Sequence, residues 1–173
     1  MEFLNDIKAL IPDYAKDVRL NLDGVLARSS LSPADAVGAA LAAAFASKSA
    51  PLIAAFRDSD ILSAEETEAA HTAAALMGMT NVWYSYLDMA DNDELKTLPA
   101  QLRMNAYQNH GGVDKRRFEL YALASSIVGK CRFCISAHYA VLQQEGMNST
   151  ELRDVGRIAA VINATAQVLA AKA

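Results

Sequence analysis

The sequence is short of several residue types, and each shortage excludes a class of protein. Its 173 residues include only two cysteines, three histidines and four prolines. Two cysteines cannot supply the dense disulfide framework of a small secreted domain. The 16 basic residues are outnumbered by 20 acidic ones, which gives a net charge of −4 rather than a basic surface for nucleic acid. We therefore expect neither a nucleic-acid partner nor a disulfide-stapled scaffold.

Long apolar runs are also missing. The most apolar stretch, 158–171, is interrupted by Asn163 and Gln167, which does not fit a membrane span. Residues 1–6 have neither the basic nor the apolar region of a secretory signal. With 53% hydrophobic and 21% charged residues, the composition is that of a globular protein. We expect a single domain over residues 1–173, located in the cytoplasm and without membrane contact.

The abundant residues, alanine and leucine, favour helices, and alternating β-branched patterns are rare. Ser32-Pro33 has the order of a helix cap followed by a proline in the first turn. Ser63 and Glu66 have the spacing of a capping box, and glycines separate the later helical segments. The fold class is therefore all-α. The predicted helices cover 33–46, 63–77, 114–128, 131–145 and 149 to the C-terminus.

The last predicted helix is apolar over much of its circumference, so it is buried on more than one side. It fits either a central core helix or a subunit interface, and periodicity does not distinguish the two. Its two apolar stripes are formed by Leu152, Val155, Ala159, Ile162, Ala166 and Leu169, and by Ile158, Val161, Thr165 and Val168.

Segments 63–90 and 114–145 show a weak similarity that indicates a degenerate internal repeat. Both predict a helix, a glycine that stops it, and the start of another helix, whereas the identities alone carry little weight in Ala-rich sequence. In the first segment Thr80 and Trp83 stand where the second has its cysteines. The identities are Glu68/Glu119, Ala73/Ala124, Gly78/Gly129 and Ser85/Ser136.

The two cysteines form the clearest chemical motif. Cys131 and Cys134 are three residues apart, and His138 follows one helical turn later. On a helix, side chains at i and i+3 lie roughly 5–6 Å apart at Cβ, which needs only a small adjustment for a disulfide. An imidazole on the same face can accept a proton from a thiol or return one to a leaving group. The pattern predicts a redox site with a reversible Cys131–Cys134 disulfide.

Glu119 is the candidate partner of His138. It precedes an uncharged segment, 120–129, and lies about 15 Å before Gly129 along its helix, while His138 lies about 13 Å beyond Gly129 along the next. If these helices pack as an antiparallel hairpin, the carboxylate comes level with the imidazole and can orient it. The residues alone leave another explanation open, in which Glu119 is a first-turn carboxylate favoured by the helix dipole.

Glu119, Cys131, Cys134 and His138 in this order resemble the alkyl hydroperoxidase D family of the carboxymuconolactone decarboxylase-like superfamily. The resemblance implies an all-helical fold with a duplicated helical unit, assembled as a homotrimer. It implies an antioxidant peroxidase that reduces organic hydroperoxides, binds no cofactor, and takes electrons from dihydrolipoamide on a lipoylated acyltransferase. It also implies reduction of a partner peroxiredoxin, alkyl hydroperoxide reductase C. The similarity covers nearly the whole chain, including segments 12–17, 77–82 and 102–105.

The resemblance assigns a role to each site residue. Cys134 would react with the peroxide, pass through a sulfenic acid and form the mixed disulfide with the peroxiredoxin. Cys131 would resolve that sulfenic acid and donate a proton, and His138 and Glu119 would relay protons. Phe133 lies where some members have a histidine, so no role of that histidine is carried over to this chain.

Local electrostatics give a different ranking of the two thiols. A helix N-terminus lowers the pKa of a thiol within its first turn, and Lys130 and Arg132 flank Cys131. These effects favour Cys131 as the more acidic thiol. Attack on a peroxide, however, also needs access and a proton donor for the leaving alkoxide, so we assign the attack to Cys134.

Other interpretations of the cysteine pair are a zinc site, a thioredoxin-type site and a disulfide-exchange adaptor. A closed zinc site needs four ligands, and the remaining histidines, His71 and His110, do not have ligand spacing, so we expect no metal. A thioredoxin-type protein would place the pair after a strand in a βαβ unit, and this sequence has no such unit. A further possibility keeps the same dithiol but makes the protein chiefly a disulfide-exchange adaptor with little peroxidase activity of its own.

Overall fold

The computed structural model describes residues 1–171, and helices account for most of this range. No strand occurs in it, which confirms the all-α fold class. Short 3-10 turns lie at Glu2–Leu4, Asp13–Ala15 and His110–Gly112. The helices are α1 (Asn5–Leu10), α2 (Lys16–Ala27), α3 (Pro33–Ala46), α4 (Ala50–Arg57), α5 (Ala64–Ala90), α6 (Asp93–Thr97), α7 (Asn105–Gln108), α8 (Lys115–Gly129), α9 (Arg132–Gln144) and α10 (Ser149–Ala170).

Helix α8 lies at the centre of the packing and contacts α3, α5, α9 and α10. Every residue from Phe118 to Ser126 is buried, which explains why Glu119 is the only charged side chain in that stretch. Helix α3 approaches α8 closely because Gly38 leaves the space that the Tyr121 ring fills. The carboxylate of Glu119 is therefore held in the protein interior.

The observed helix starts agree with the cap signals in the sequence. The Ser32 hydroxyl accepts from the Asp35 backbone N–H, and Asp114 caps α8. Capping boxes are formed by Ser63 with Glu66 and by Asn148 with Glu151. Such side chains satisfy backbone N–H groups that a helix start leaves without partners. The predicted starts of these four helices are confirmed.

The predicted end of the second helix at Met77 is wrong. Helix α5 continues through Gly78 to Ala90 and ends where Asp91 adopts a left-handed conformation. An interior glycine lowers helix propensity by only about 1 kcal/mol, and packing of α5 against α3 and α8 overrides it. The break shared by the two repeat segments is therefore absent at Gly78, and the duplication of 63–90 and 114–145 stays a prediction.

Helix α8, by contrast, does end at Gly129, and Lys130 takes the left-handed position after it. Glycine is required at 129 because a Cβ there would collide with the Asn81 side chain of α5. The amide of Asn81 donates to the Ser125 backbone carbonyl at 3.3 Å. This close contact fixes the corner between α8 and α9, from which the cysteine pair begins.

Helix α10 is a core helix of the chain. It packs on α2, α3 and α8, and Val155, Ile158, Ala159 and Ile162 are fully buried without any second copy. Core burial therefore explains most of both stripes, whereas Val161, Val168 and Leu169 are half-buried in the single chain, and a subunit contact at these three residues stays a prediction. Within residues 1–171, no helix combines the length and the apolar character that crossing a membrane requires. The predicted domain 1–173 ends two residues outside the described range.

Candidate active site

The corner between α8 and α9 positions the two cysteines. Cys131 is the N-cap of α9 and Cys134 lies in its first turn, with a Cα–Cα distance of 5.3 Å. A disulfide joins the two sulfurs, and Cys131 Sγ accepts the Cys134 backbone N–H at 3.2 Å. The structure thus contains the pairing expected from the spacing, while its reversibility stays a prediction.

A cavity of about 380 Å³ opens beside one of the two sulfurs. Cys134 and His138 both line it, whereas Cys131 does not. Cys134 is 3% exposed and Cys131 is 0% exposed. A small molecule in the cavity therefore meets Cys134 first. The other lining residues are Met77, Thr80, Tyr84, Met104, Tyr107, Gln108, Phe133 and Ala137.

Glu119 and His138 meet as the hairpin argument predicts. Helices α8 and α9 pack against each other, and the distance from His138 Nδ1 to Glu119 Oε2 is 2.6 Å. Both side chains are buried, with Glu119 only 1% exposed. Because an ionised carboxylate only accepts hydrogen bonds, the neutral imidazole carries its proton on Nδ1. The lone pair of the neutral ring is then on Nε2, at the cavity wall. Nε2 lies 3.1 Å from Met77 Sδ, and because a thioether sulfur only accepts, this contact is a hydrogen bond only when Nε2 also carries a proton.

Tyr107 is a site residue that the sequence analysis missed. Its hydroxyl donates a hydrogen bond to Glu119 Oε1, so both oxygens of the carboxylate have a donor. Burial tends to raise the pKa of Glu119, but the hydrogen bonds from His138 and Tyr107 outweigh burial and the pKa is lowered. Burial and the adjacent carboxylate raise the pKa of Tyr107 well above its ordinary value. Both groups therefore keep their ordinary charge states at neutral pH.

The rim of the cavity is aromatic. Phe133 stacks on Tyr84 with ring centroids 4.3 Å apart, and 55% of the Phe133 surface is exposed. Lys130 and Arg132, which flank Cys131, are exposed to solvent, so their charges are screened at the buried sulfur. Phe133 thus places an apolar ring beside the cysteine pair.

The other two histidines lie outside the cavity. His71 packs beside Phe45 with ring centroids 5.6 Å apart, and His110 lies 6.0 Å from the Phe118 ring. Neither lines the cavity next to Cys134. Residues 1–171 contain no group of three or more histidine, cysteine or acidic side chains arranged to hold a metal ion.

Comparison with known proteins identifies the family. The family model for the carboxymuconolactone decarboxylase family matches residues 93–173. A protein named alkyl hydroperoxide reductase AhpD from Rhodospirillum centenum is 46% identical over 169 residues, covering 96% of this chain and 90% of that one. Proteins of the same name from Bradyrhizobium sp. (strain BTAi1) and Hyphomonas neptunium are 43% and 42% identical, with 98% of this chain covered in both and 94% and 95% of the relatives. The chain belongs to the AhpD family, which confirms the resemblance to alkyl hydroperoxidase D proteins.

Proposed function

We propose that the protein is a thiol peroxidase that reduces organic hydroperoxides through the Cys131–Cys134 pair. The observation that carries the proposal is that one sulfur of the pair, Cys134, lines a cavity together with His138, whose imidazole is hydrogen-bonded to a buried carboxylate. The name of the relatives, alkyl hydroperoxide reductase, supports the same chemistry. The protein is accordingly an oxidoreductase.

In the first step, Cys134 attacks the terminal oxygen of the hydroperoxide. His138 Nε2 accepts the thiol proton, the O–O bond breaks, and the proton is returned to the leaving alkoxide. The products are an alcohol and a sulfenic acid on Cys134. Glu119 holds the imidazole in the required tautomer and stabilises its protonated form, as the carboxylate does in Ser–His–Asp triads.

In the second step, the Cys131 sulfur attacks the sulfenic sulfur of Cys134. The S–S bond forms, hydroxide leaves, and the proton that Cys131 gives up completes a water molecule. The two sulfurs are already close enough for this step because Cys131 caps the helix that carries Cys134. The cycle so far consumes one hydroperoxide and oxidises one dithiol.

In the third step, we propose dihydrolipoamide on a lipoylated acyltransferase as the reductant. One of its thiolates attacks Cys134 Sγ and releases Cys131 as a thiolate. Its second thiol then attacks the lipoyl sulfur of the mixed disulfide and releases Cys134, so lipoamide leaves and both cysteine thiols are restored. The net reaction converts hydroperoxide and dihydrolipoamide to alcohol, water and lipoamide. The apolar lining of the cavity, which includes Met77, Met104 and Ala137, supports a hydrocarbon ligand of this kind.

A partner peroxiredoxin, alkyl hydroperoxide reductase C, is proposed as a second electron acceptor through a mixed disulfide on Cys134. The low exposure of Cys134, 3%, favours small hydroperoxides over a protein disulfide as the first acceptor. This argues for the peroxidase rather than for an adaptor with little activity of its own. Hydroperoxide turnover measured with and without the purified peroxiredoxin distinguishes the two.

We further propose a homotrimer located in the cytoplasm. An exposed apolar stripe on α5 supports an interface between copies: Val82, Tyr86 and Met89 are 70%, 52% and 79% exposed. They lie at i, i+4 and i+7, so they share one face of the helix. A reversible dithiol supports a reducing compartment, where structural disulfides are rare.

The central test is turnover of cumene hydroperoxide with dihydrolipoamide as the only reductant. Cys134→Ser should abolish it, and His138→Ala should lower it by about 10²–10⁴-fold, the usual contribution of one acid–base group. Mass spectrometry should show the dithiol converted to the intramolecular disulfide, with a loss of two protons. Native turnover in Cys134→Ser, or two free thiols after mild peroxide treatment, would show that the proposal is wrong.

A further inference from the structure

We propose that Tyr107 is a positioning residue of this reaction, which holds Glu119 against His138 through a hydrogen bond to the second carboxylate oxygen. The inference rests on the proposed function and adds Tyr107 to the four site residues that the sequence pattern contains. It follows from the hydrogen bonds of the buried Glu119 carboxylate.

The carboxylate of Glu119 is held from two sides. Oε2 lies 2.6 Å from His138 Nδ1, and Oε1 accepts from the Tyr107 hydroxyl. Because a carboxylate has no donor of its own, the phenol must be the donor. The Tyr107 ring is fixed in turn by an edge-on contact with Phe118, at 5.6 Å between centroids and 80° between planes. Without Tyr107 the carboxylate would have a buried oxygen without a partner, and its hydrogen bond to His138 Nδ1 would carry its whole charge.

Tyr107 also belongs to the cavity wall. It lies in the four-residue helix α7, and the same short segment contributes Met104 and Gln108 to the lining. One hydrogen bond thus connects the wall that encloses the substrate to the carboxylate that orients the base. A tyrosine that only packs against its neighbours would not need a hydrogen bond to the Glu119 carboxylate, which is itself bonded to the His138 imidazole.

The hydrogen bond from Tyr107 to Glu119 affects how readily the His138 imidazole takes up a proton, and the direction of this effect follows from the charges. Tyr107 withdraws charge from the carboxylate, most strongly when the imidazole is neutral and the carboxylate has no cationic partner. Removing the hydroxyl therefore destabilises the neutral-imidazole state more than the ion pair. In Tyr107→Phe the imidazole beside Glu119 should then hold its proton to higher pH.

Lys115 is the one charged group besides His138 that helps to lower the pKa of Glu119, and its effect is smaller than those of the His138 and Tyr107 hydrogen bonds. Lys115 lies one turn before Glu119 on α8 and binds Glu145, the C-cap residue of α9, at 2.8 Å. On the α5 side, Met77 and Thr80 face the cavity and neither titrates. In the reduced protein, Cys134 is the remaining titratable side chain of the cavity apart from Tyr84 at its rim. Several charged residues on the helices packed against α8 form ion pairs away from Glu119: Asp35 with Arg116 and Arg117, Glu66 with Arg117, Glu151 with Arg116, and Asp154 with Arg153 and Arg157. The others, Glu65, Glu68, Asp88 and Arg132, are exposed to solvent, and His110 contacts the Phe118 ring.

The first test is Tyr107→Phe, with kcat/KM for cumene hydroperoxide measured across pH. The active form has a neutral imidazole, so kcat/KM falls as the pair takes up a proton. In Tyr107→Phe this acid limb should move to higher pH by about 0.5–1 unit, which lowers kcat/KM about 3–10-fold on the limb. Tyr139→Phe is the matched control, because Tyr139 adjoins His138 on α9 but does not line the cavity and makes no hydrogen bond through its hydroxyl among the described residues. It should leave the limb in place.

The second test replaces Tyr107 with 3-fluorotyrosine, which keeps the ring and hydroxyl but is a stronger acid and a stronger donor. The acid limb should then move to lower pH, opposite to Tyr107→Phe. A residue that only packs would give no shift, or shifts of one sign from both changes, and either result would overturn the inference. The fluorinated protein also serves if Tyr107→Phe does not fold.

The two proposals can fail separately. NMR titration of the His138 imidazole in the resting disulfide form reports the midpoint of the pair without any peroxide. A native protein without peroxidase activity would refute the proposed function, yet the NMR midpoint in Tyr107→Phe would still decide the role of Tyr107. An unchanged midpoint in an active protein would refute the positioning role alone.

Discussion

Replacing Glu119 with glutamine removes the charge behind His138 and almost nothing else. The native carboxylate accepts from His138 Nδ1 and from the Tyr107 hydroxyl. Glutamine has one acceptor and one donor group, but a phenol can accept as well as donate. The amide can therefore turn its nitrogen towards Tyr107 and keep its oxygen on His138. The proton stays on Nδ1, so the tautomer survives and only the charge is lost.

The magnitude follows from the lost attraction between carboxylate and protonated imidazole. Unit charges about 4 Å apart interact by about 4 kcal/mol at an effective dielectric constant of 20, and a neutral hydrogen bond retains roughly 1 kcal/mol of this. If the proton is partly transferred in the transition state, about 2 kcal/mol is lost there. This corresponds to a fall in kcat/KM of roughly 30-fold.

The assay is stopped-flow reduction of cumene hydroperoxide by the pre-reduced protein, with thermal unfolding as a check on the fold. The matched control is Glu145→Gln, which removes a carboxylate from the same helical hairpin where it pairs with Lys115 at the surface. Near-native rates in Glu119→Gln would show that the carboxylate is structural. A loss of about 10⁴-fold, as a wrong tautomer causes in Ser–His–Asp triads, would refute the argument that Tyr107 accommodates the amide.

Three further predictions concern the thiols, the stability and the assembly. A sulfenic-acid probe should label Cys134 in Cys131→Ser but label Cys131 poorly in Cys134→Ser, because only Cys134 lines the cavity; the reverse pattern would exchange their roles. Hydrogen bonds from Ser30 and two arginines outweigh burial and lower the pKa of Asp154 to about 2, so its stabilising effect is present above pH 4 and lost as the pH falls towards 2. In urea denaturation Asp154→Asn should be about 1–3 kcal/mol less stable than the native protein at pH 7, with a gap that narrows below pH 4; a constant gap would contradict the assignment. Tyr86→Glu with Met89→Glu should convert the proposed trimer to monomers in light scattering, and an unchanged mass would move the interface away from α5.

Spacing along a helix made part of the site predictable. The positions of Cys131, Cys134 and His138 on one face need only the helical repeat. The Glu119 contact needed one further assumption, that α8 and α9 fold back on each other at Gly129, and the structure has this hairpin. In each case the relevant residues lie on one helix or on two consecutive ones.

The rest of the site depends on tertiary packing and left no local signal. Met77 reaches His138 from α5, 61 residues away, and Tyr107 reaches Glu119 from a four-residue helix after an irregular segment. No periodicity in either segment indicates which buried group it will meet. The wrong helix end at Gly78 has a related cause. The glycine is a local stop signal, whereas the packing of α5 against α3 and α8, which continues the helix through Gly78, is tertiary.

The difference in access between the two sulfurs bears on both the oxidation of the dithiol by peroxide and its reduction by dihydrolipoamide in the proposed cycle. Cys134 lines the cavity and Cys131 does not, so in the proposed cycle Cys134 would attack the peroxide and would in turn be attacked by dihydrolipoamide. When dihydrolipoamide attacks Cys134, Cys131 must leave as a thiolate. Cys131 is suited to leave because it caps α9 and accepts the Cys134 backbone N–H at 3.2 Å, at the positive end of the helix dipole. A thiol of lowered pKa is the better leaving group. Helix-end electrostatics and access therefore do not conflict: the first selects Cys131 as the leaving and resolving sulfur, and the second selects Cys134 as the sulfur that meets each substrate.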